Sequence, residues 1–392
     1  MMGSQKLQGS RWGAYALVCL THTLMHAFTQ MHIALIPVLR VELGLDILTI
    51  GLVASVPTVV NALFTIPGGL LADRADRSKM IAAGLLISGV GGALMTQANS
   101  ATTLVAFVSM FSIASTLLHP PALSTVSELV EPRLRGKALG FFGSAGTLGI
   151  ALGPITLSIL LGIIGWRYVY LLWAIPALVA PVLILRLRLD RAEEPSESQS
   201  RNKAQDFHML RNLSLVLVLA ILGARAMGGN AINTYITPYF TDWLKLEAAT
   251  AILIFGMSPL IGAVASTTGG FMVDRFGEKR WFAIGFLSQI VALLALAFST
   301  NIGFAVVAYL SYAFFGSMEM PAEQSLIAKL TPRSGRGLAF ALSFLPGTIA
   351  GSFSPILVAF VVEGLGIWYI FPYAVAMFAA AIAILGLLWK RV

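Results

Sequence analysis

GGLLADRADRSK at 68–79 and GGFMVDRFGEKR at 269–280 carry one pattern twice, a glycine pair, an apolar stretch, an Asp-Arg and a basic cluster, 201 residues apart. Other matches share that offset or one residue less. Pro37 falls on Pro238, Pro121-Ala122 on Pro321-Ala322, Pro132-Arg133 on Pro332-Arg333, Gly146-Thr147 on Gly347-Thr348, and Pro154-Ile155 on Pro355-Ile356. Chance matches are expected in apolar sequence, but a shared offset across several segments marks an internal duplication. The composition around the two copies says which solvent they face. Of 392 residues, 57% are hydrophobic and 11% charged, and the mean hydropathy is +0.83, whereas a soluble globular chain carries about 25% charged residues. Disorder is excluded by the same numbers, and the single Cys19 excludes an intramolecular disulfide framework and a Cys-based zinc site. The lipid bilayer remains as the medium.

A hydrocarbon core of about 30 Å takes roughly 20 helical residues to cross. Twelve apolar runs are long enough: 14–38, 47–71, 80–98, 102–125, 136–162, 168–187, 212–240, 247–272, 281–299, 302–328, 337–362 and 367–388. Helices are required because open strand edges cannot be satisfied in lipid, and no ten-residue alternation of the barrel type occurs. The first run is too long for a cleavable signal peptide and holds His22, His26 and His32, so it is expected to remain as a span. The polar stretch 189–211 reads as a linker between six-helix halves at 1–188 and 212–392. With both termini on one side, 22 of the 26 Lys and Arg residues fall on that side. Arg40, Arg167 and Lys245 fall on the other, and Arg225 lies within a span. The positive-inside rule makes the basic side cytoplasmic. The net charge of +8 is then a topology signal rather than a nucleic-acid footprint, and the expected setting is the cell inner membrane with both termini in the cytoplasm.

The segment Gly69-Leu70-Leu71-Ala72-Asp73-Arg74-Ala75-Asp76-Arg77-Ser78-Lys79 resembles the cytoplasmic motif G-x-x-x-D-R-x-G-R-x-[RK] of the major facilitator superfamily. The second copy, Gly270 to Arg280, retains Asp274, Arg275 and Gly277, while the first departs at Asp76, where the family has Gly. The resemblance implies an all-α membrane protein of twelve spans in two pseudo-symmetric halves. It also implies a latch in which Asp73 pairs with Arg133 or Arg135, and Arg74 and Arg77 reach Glu128 or Glu131. Gly143, Gly146, Gly149 and Gly153-Pro154 share one face of the fifth span, and the stretch is similar to the fifth-span motif of the family's antiporters. Thr21-His22-Thr23-Leu24 and Leu118-His119-Pro120 resemble the corresponding segments of fosmidomycin-resistance-type exporters. No G-x-x-x-x-G-K-[ST] occurs in the chain, so the sequence offers no phosphate loop.

Ionisable groups at membrane depth are costly and are candidate functional residues. Arg225 has about fourteen span residues, or ~21 Å of helix, on either side and cannot snorkel to water. It reads either as a fixed cation for a substrate carboxylate or phosphate, or as a partner of Glu319 or Glu323. His22 and His26, at i and i+4 on span one, share a stripe with Thr29, and Gln30 and His32 flank it. Proton coupling, anion binding and plain hydrogen-bonded packing all suit this group. The histidine pair can also hold a metal, but the span offers no acidic ligand, so neither metal nor cofactor is assigned. His119 and Glu319 are equivalent under the 200 offset, each close before a proline, and a titratable pair of this kind can carry a coupling proton. Glu323 is expected to be solvated. Asn230, Asn233 and Tyr235 in span seven and Asn61 in span two can add hydrogen bonds to a ligand. Trp166-Arg167-Tyr168 and Trp368-Tyr369 read as interfacial aromatic belts.

The expected activity is secondary transport by alternating access, with two halves rocking about a central site. The resemblance implies proton-coupled antiport, that is, export of a small amphipathic compound as a monomer, and the Arg and His content favours an anionic one. The alternatives are facilitated uptake or exchange of an organic anion, lysolipid translocation, and a membrane sensor. An enzyme is not expected, since no nucleophile or metal motif stands out.

Overall fold

The computed structural model describes residues 2–72, 74–187, 212–331 and 336–389. The expected linker 189–211 and Asp73 lie outside the described residues. Among those described, every regular element is helical. The bilayer imposes this, because a helix satisfies its own backbone polar groups where no water can. Ten helices are long and apolar enough to cross a membrane, and a bent pair, Arg11–Ala34 with Ile36–Leu43, makes an eleventh span. Arg135–Arg186 runs for 52 residues, about 78 Å at 1.5 Å per residue, more than two hydrocarbon cores. Gly165 interrupts it at φ 75° and ψ 157°, a conformation that only glycine adopts without strain. Those two spans bring the total among the described residues to twelve.

The first span departs from the expected single run. Met2–Thr29 gives way to Met31–Ala34 and then Ile36–Leu43, with a bend of 58° before the last piece. Pro37 sits in the first turn of that piece, where it has no N–H to return to the preceding turn and its ring crowds a carbonyl behind it. Gly44, at φ 63°, ends the helix and returns its N–H to the Arg40 carbonyl. The expected run 302–328 is likewise broken into Ile302–Met318 and Met320–Leu330, with Glu319 at the junction and Pro321 just after it.

Two compact units make up the chain. One holds Met1–Leu45, Val56–Glu194 and Ala248–Gly256, and the other Asp46–Ser55, Pro195–Glu247 and Met257–Val392. In the first, Val18, Met25, Leu85, Leu118, Phe142 and Ile184 pack into one apolar cluster. Apolar burial does not separate protein from lipid as it separates protein from water, so close approach of backbones matters more. The fifth span supplies it. A Cβ at Gly149 would collide with the Thr23 carbonyl, and one at Gly153 with the Ala27 carbonyl. Thr23 Oγ1 also donates to the Ala145 carbonyl at 2.9 Å. Gly143 faces open space, so three of the four glycines on the expected face make the contact.

The aromatic-belt reading needs a correction at Trp166. Its ring is buried, and its Nε1 donates to Glu42 at 2.6 Å. Arg167 pairs with the same carboxylate and donates to the Ala98 carbonyl at 2.7 Å. Trp166, Arg167 and Glu42 tie helix ends together, whereas Tyr168 is exposed.

Candidate functional site

Each unit contains a polar cluster within its long apolar helices. In the first, His22 and His26 project from Met2–Thr29, and His119 comes from Ala101–Leu129, where Pro120 and Pro121 follow it. His119 Nε2 lies 3.1 Å from His22 Nε2 and 3.1 Å from His26 Nε2. His22 Nδ1 donates to the Phe142 carbonyl at 2.8 Å, and its ring stacks on the Phe142 ring at a centroid distance of 3.9 Å. His119 Nδ1 donates to the Ser115 carbonyl at 2.9 Å, with Ser115 Oγ also 2.9 Å away. Gly146 leaves the room that the His22 ring fills, since a Cβ there would meet the imidazole at 2.5 Å. His26 Nδ1 is buried without a hydrogen-bond partner. His32 is buried on the short Met31–Ala34 helix, outside this group, and Gln30 occupies the break before it.

In the second unit, Arg225 sits near the middle of Leu213–Pro238. Its NH2 donates to Glu323 Oε2 at 2.8 Å, and the side chains are 29% and 15% exposed. The pairing corrects the expectation that Glu323 is solvated. Its position one turn beyond Glu319, at i+4 within an apolar run, carries that signal in the sequence. Arg225 Nε is buried and has no partner. Glu319 is fully buried. Gln289 Nε2 donates to its Oε1, while its Oε2 is unpartnered, and Gly285 leaves space for its side chain. Sequence reasoning passed over Gln289, although it is an isolated amide within an apolar span. Asn230 lies against Gly351, where a Cβ would collide with its amide, and Asn233 is half-buried on the same helix. Tyr235 and Asn61 are committed within the protein. The Tyr235 hydroxyl donates to the Pro355 carbonyl at 2.8 Å, and Asn61 donates to the Ser112 carbonyl at 3.3 Å.

At the duplicated motif, Arg77 forms a two-armed pair with Glu128, the NH2 arm at 2.8 Å. Arg133 pairs with Glu131 at 2.7 Å, and Arg135 donates to the Ser127 carbonyl at 2.9 Å. Asp73 lies outside the described residues, and Arg74 is exposed. Asp76 has φ −65° and accepts from the Lys79 N–H as the N-cap of Arg77–Leu94. Asp is among the best residues for that role, so its departure from the family pattern puts no left-handed strain on the turn. Gly277, in the second copy, does adopt a positive φ of 78°. There Asp274 and Arg275 are exposed, and the ion pair runs from Lys329 to Glu278 at 2.6 Å, with Ser325 donating to the same carboxylate at 2.7 Å. Gly69 and Gly270 face open space, and the close contacts belong to their neighbours. A Cβ at Gly68 would strike the Thr116 carbonyl, and one at Gly269 the Met318 carbonyl.

Among the described residues, helices of this length and apolarity define a multi-pass membrane protein. The profile of the Major Facilitator Superfamily matches residues 18–262 and 218–392, and the chain belongs to that superfamily. Relatives share low identity across most of their length. The cis,cis-muconate transport protein of Acinetobacter baylyi is 20% identical over 83% of this chain and 81% of its own. The sialic acid transporter NanX of Escherichia coli is 23% identical over 89% and 87%. The multidrug resistance protein MdtH of Edwardsiella ictaluri is 23% identical over 79% and 77%. Among solved structures, a bacterial homologue of the human lysosomal transporter Spinster, inward-facing and occupied, superposes with a TM-score of 0.84 at 16% identity over 97% of both chains. That likeness concerns the fold alone.

Proposed function

We propose that the protein is a proton-coupled secondary transporter for a small organic anion, with Arg225 as the fixed cation that receives it. The observation that carries this reading is the guanidinium inside a span, bonded to Glu323 through one nitrogen and holding a second, unpaired N–H. A carboxylate, like a phosphate, fits the planar fork of arginine. Two of the named relatives carry acids. Arrival of an anion would compete with Glu323, and a proton on Glu323 would remove the competitor. Anion and proton therefore load together, which favours their movement in the same direction. The antiporter-like glycine face of span five is accounted for by helix packing and gives no weight to export. Residues 69–79 and 270–280 are read as gate segments, supported by the expected Arg77–Glu128 pair in the first copy and by the Lys329–Glu278 pair in the second.

A second reading rests on the unpartnered Oε2 of Glu319 and on the multidrug relative. Here Glu319 would receive a lipophilic cation, and the protein would export it. Flux into proteoliposomes separates the two. An inward proton gradient should drive uptake of a carboxylate, and Arg225→Ala should abolish it. Cation flux that survives Arg225→Ala and disappears in Glu319→Gln would replace the first reading with the second.

A further inference from the structure

We propose that His22, His26 and His119 bind one first-row divalent transition-metal ion, of the Zn2+ class, inside the first unit. Their ligand nitrogens all lie within 4.8 Å of one another. The decisive observation is what the other ring nitrogens do. A carbonyl only accepts, so His22 Nδ1, on Phe142, carries hydrogen, and His119 Nδ1 carries one too where it bonds the Ser115 carbonyl rather than accepting from the Ser115 hydroxyl at the same 2.9 Å. In the neutral rings both Nε2 atoms are then lone-pair acceptors, and they face each other at 3.1 Å. Two lone pairs do not settle at that distance without positive charge between them. The third ring, His26, brings its Nε2 to the same 3.1 Å from His119, and its buried Nδ1 has no partner to fix its tautomer.

A proton can bridge one pair of nitrogens, whereas a metal ion takes a lone pair from all three. Two nitrogens about 2.0–2.1 Å from one zinc ion in a tetrahedron lie roughly 3.3 Å apart, close to the 3.1 Å that separates His119 Nε2 from each of its two neighbours. Imidazole donors suit zinc, copper, nickel and cobalt rather than magnesium or calcium. Metal-bound histidines also donate the other N–H to a carbonyl or carboxylate, which fixes ring and tautomer, and two of the three rings are held this way. Three ligands leave a fourth position open, as in zinc sites that exchange water for another group.

The test uses full-length protein with an affinity tag free of histidine, stripped with a chelator and titrated with Zn2+ and Co2+. Wild type should bind one ion per chain. His119→Gln and His26→Gln should each weaken binding at least about 100-fold, the upper end of what even outer-shell changes cost. His208→Gln, which alters the one histidine in the 189–211 stretch, should leave binding unchanged. Absence of stoichiometric binding, binding unaffected by His119→Gln, or loss of binding in His208→Gln would overturn the proposal. If either site variant fails to fold, the visible spectrum of wild type with Co2+ decides. Intense bands of a low-coordinate, nitrogen-ligated ion support the site, and the weak bands of a six-coordinate ion overturn it.

Discussion

Arg225 and Glu323 set the terms at the scale of single residues. Removing one partner of a sequestered ion pair leaves the other charge unsatisfied, which costs about 3–5 kcal/mol when burial is complete. With side chains 29% and 15% exposed, roughly 1–3 kcal/mol is the better expectation. Glu323→Gln should therefore lower the melting temperature, and adding Arg225→Met in the same chain should recover part of the loss. Equal, additive losses in a double-mutant cycle would mean the pair is not coupled. Asp76 supplies a second prediction. As an N-cap, it should tolerate Gly at a cost of a few tenths of a kcal/mol, but Asp76→Ala should cost about 1 kcal/mol. The sequence made Arg225 conspicuous as a charge deep in an apolar run. It offered Glu323 with Glu319 as the partner but took Glu323 to be solvated, because a boundary error of a few residues decides whether such a carboxylate meets water. The histidine cluster was half visible: the i, i+4 spacing showed His22 with His26, but only tertiary packing brings His119 to them.

At the scale of elements, apolar runs located all twelve spans, since length against bilayer thickness is a strong constraint. Breaks inside them were less legible. Pro37 bends span one, and Pro321 follows the break at Glu319, yet Pro57 and Pro67 lie within Ile47–Ala72 without dividing it. A proline alone does not say whether neighbouring helices restore the interrupted turn. The glycine face of span five was legible as a pattern, but its partner was not. Gly149→Ala and Gly153→Ala should push span one away, at about 1–3 kcal/mol each as in other overpacked interiors. Gly143→Ala, which meets nothing within 4 Å, should leave the melting temperature unchanged. A large loss at Gly143, or none at Gly149, would show that the face packs elsewhere.

The duplication organises the whole molecule. The motif at the end of span two recurs 201 residues later, and each copy lies beside an ion pair, Arg77 with Glu128 and Lys329 with Glu278. The family pattern pointed to Asp73, Asp274 and the arginines beside them. It missed Glu278, which stands outside the motif's conserved charges. One side chain of each pair is exposed, Glu128 at 36% and Lys329 at 64%, which holds a pair to about 0–1 kcal/mol, so Glu128→Gln and Glu278→Gln should leave the melting temperature nearly unchanged while altering the rate of flux. A large loss of stability would make these pairs structural rather than part of a gate.

The central claim is that an organic anion and a proton occupy the second unit together, on Arg225 and Glu323. Proton uptake during ligand binding tests it most directly, with purified protein in weakly buffered detergent, a pH-indicating dye and a panel of mono- and dicarboxylates. A binding carboxylate should raise the pH of the medium as wild type takes up a proton. Glu323→Gln should bind the same compound with no proton movement. Carboxylate binding that releases protons, or that persists unchanged in Arg225→Ala, would contradict it.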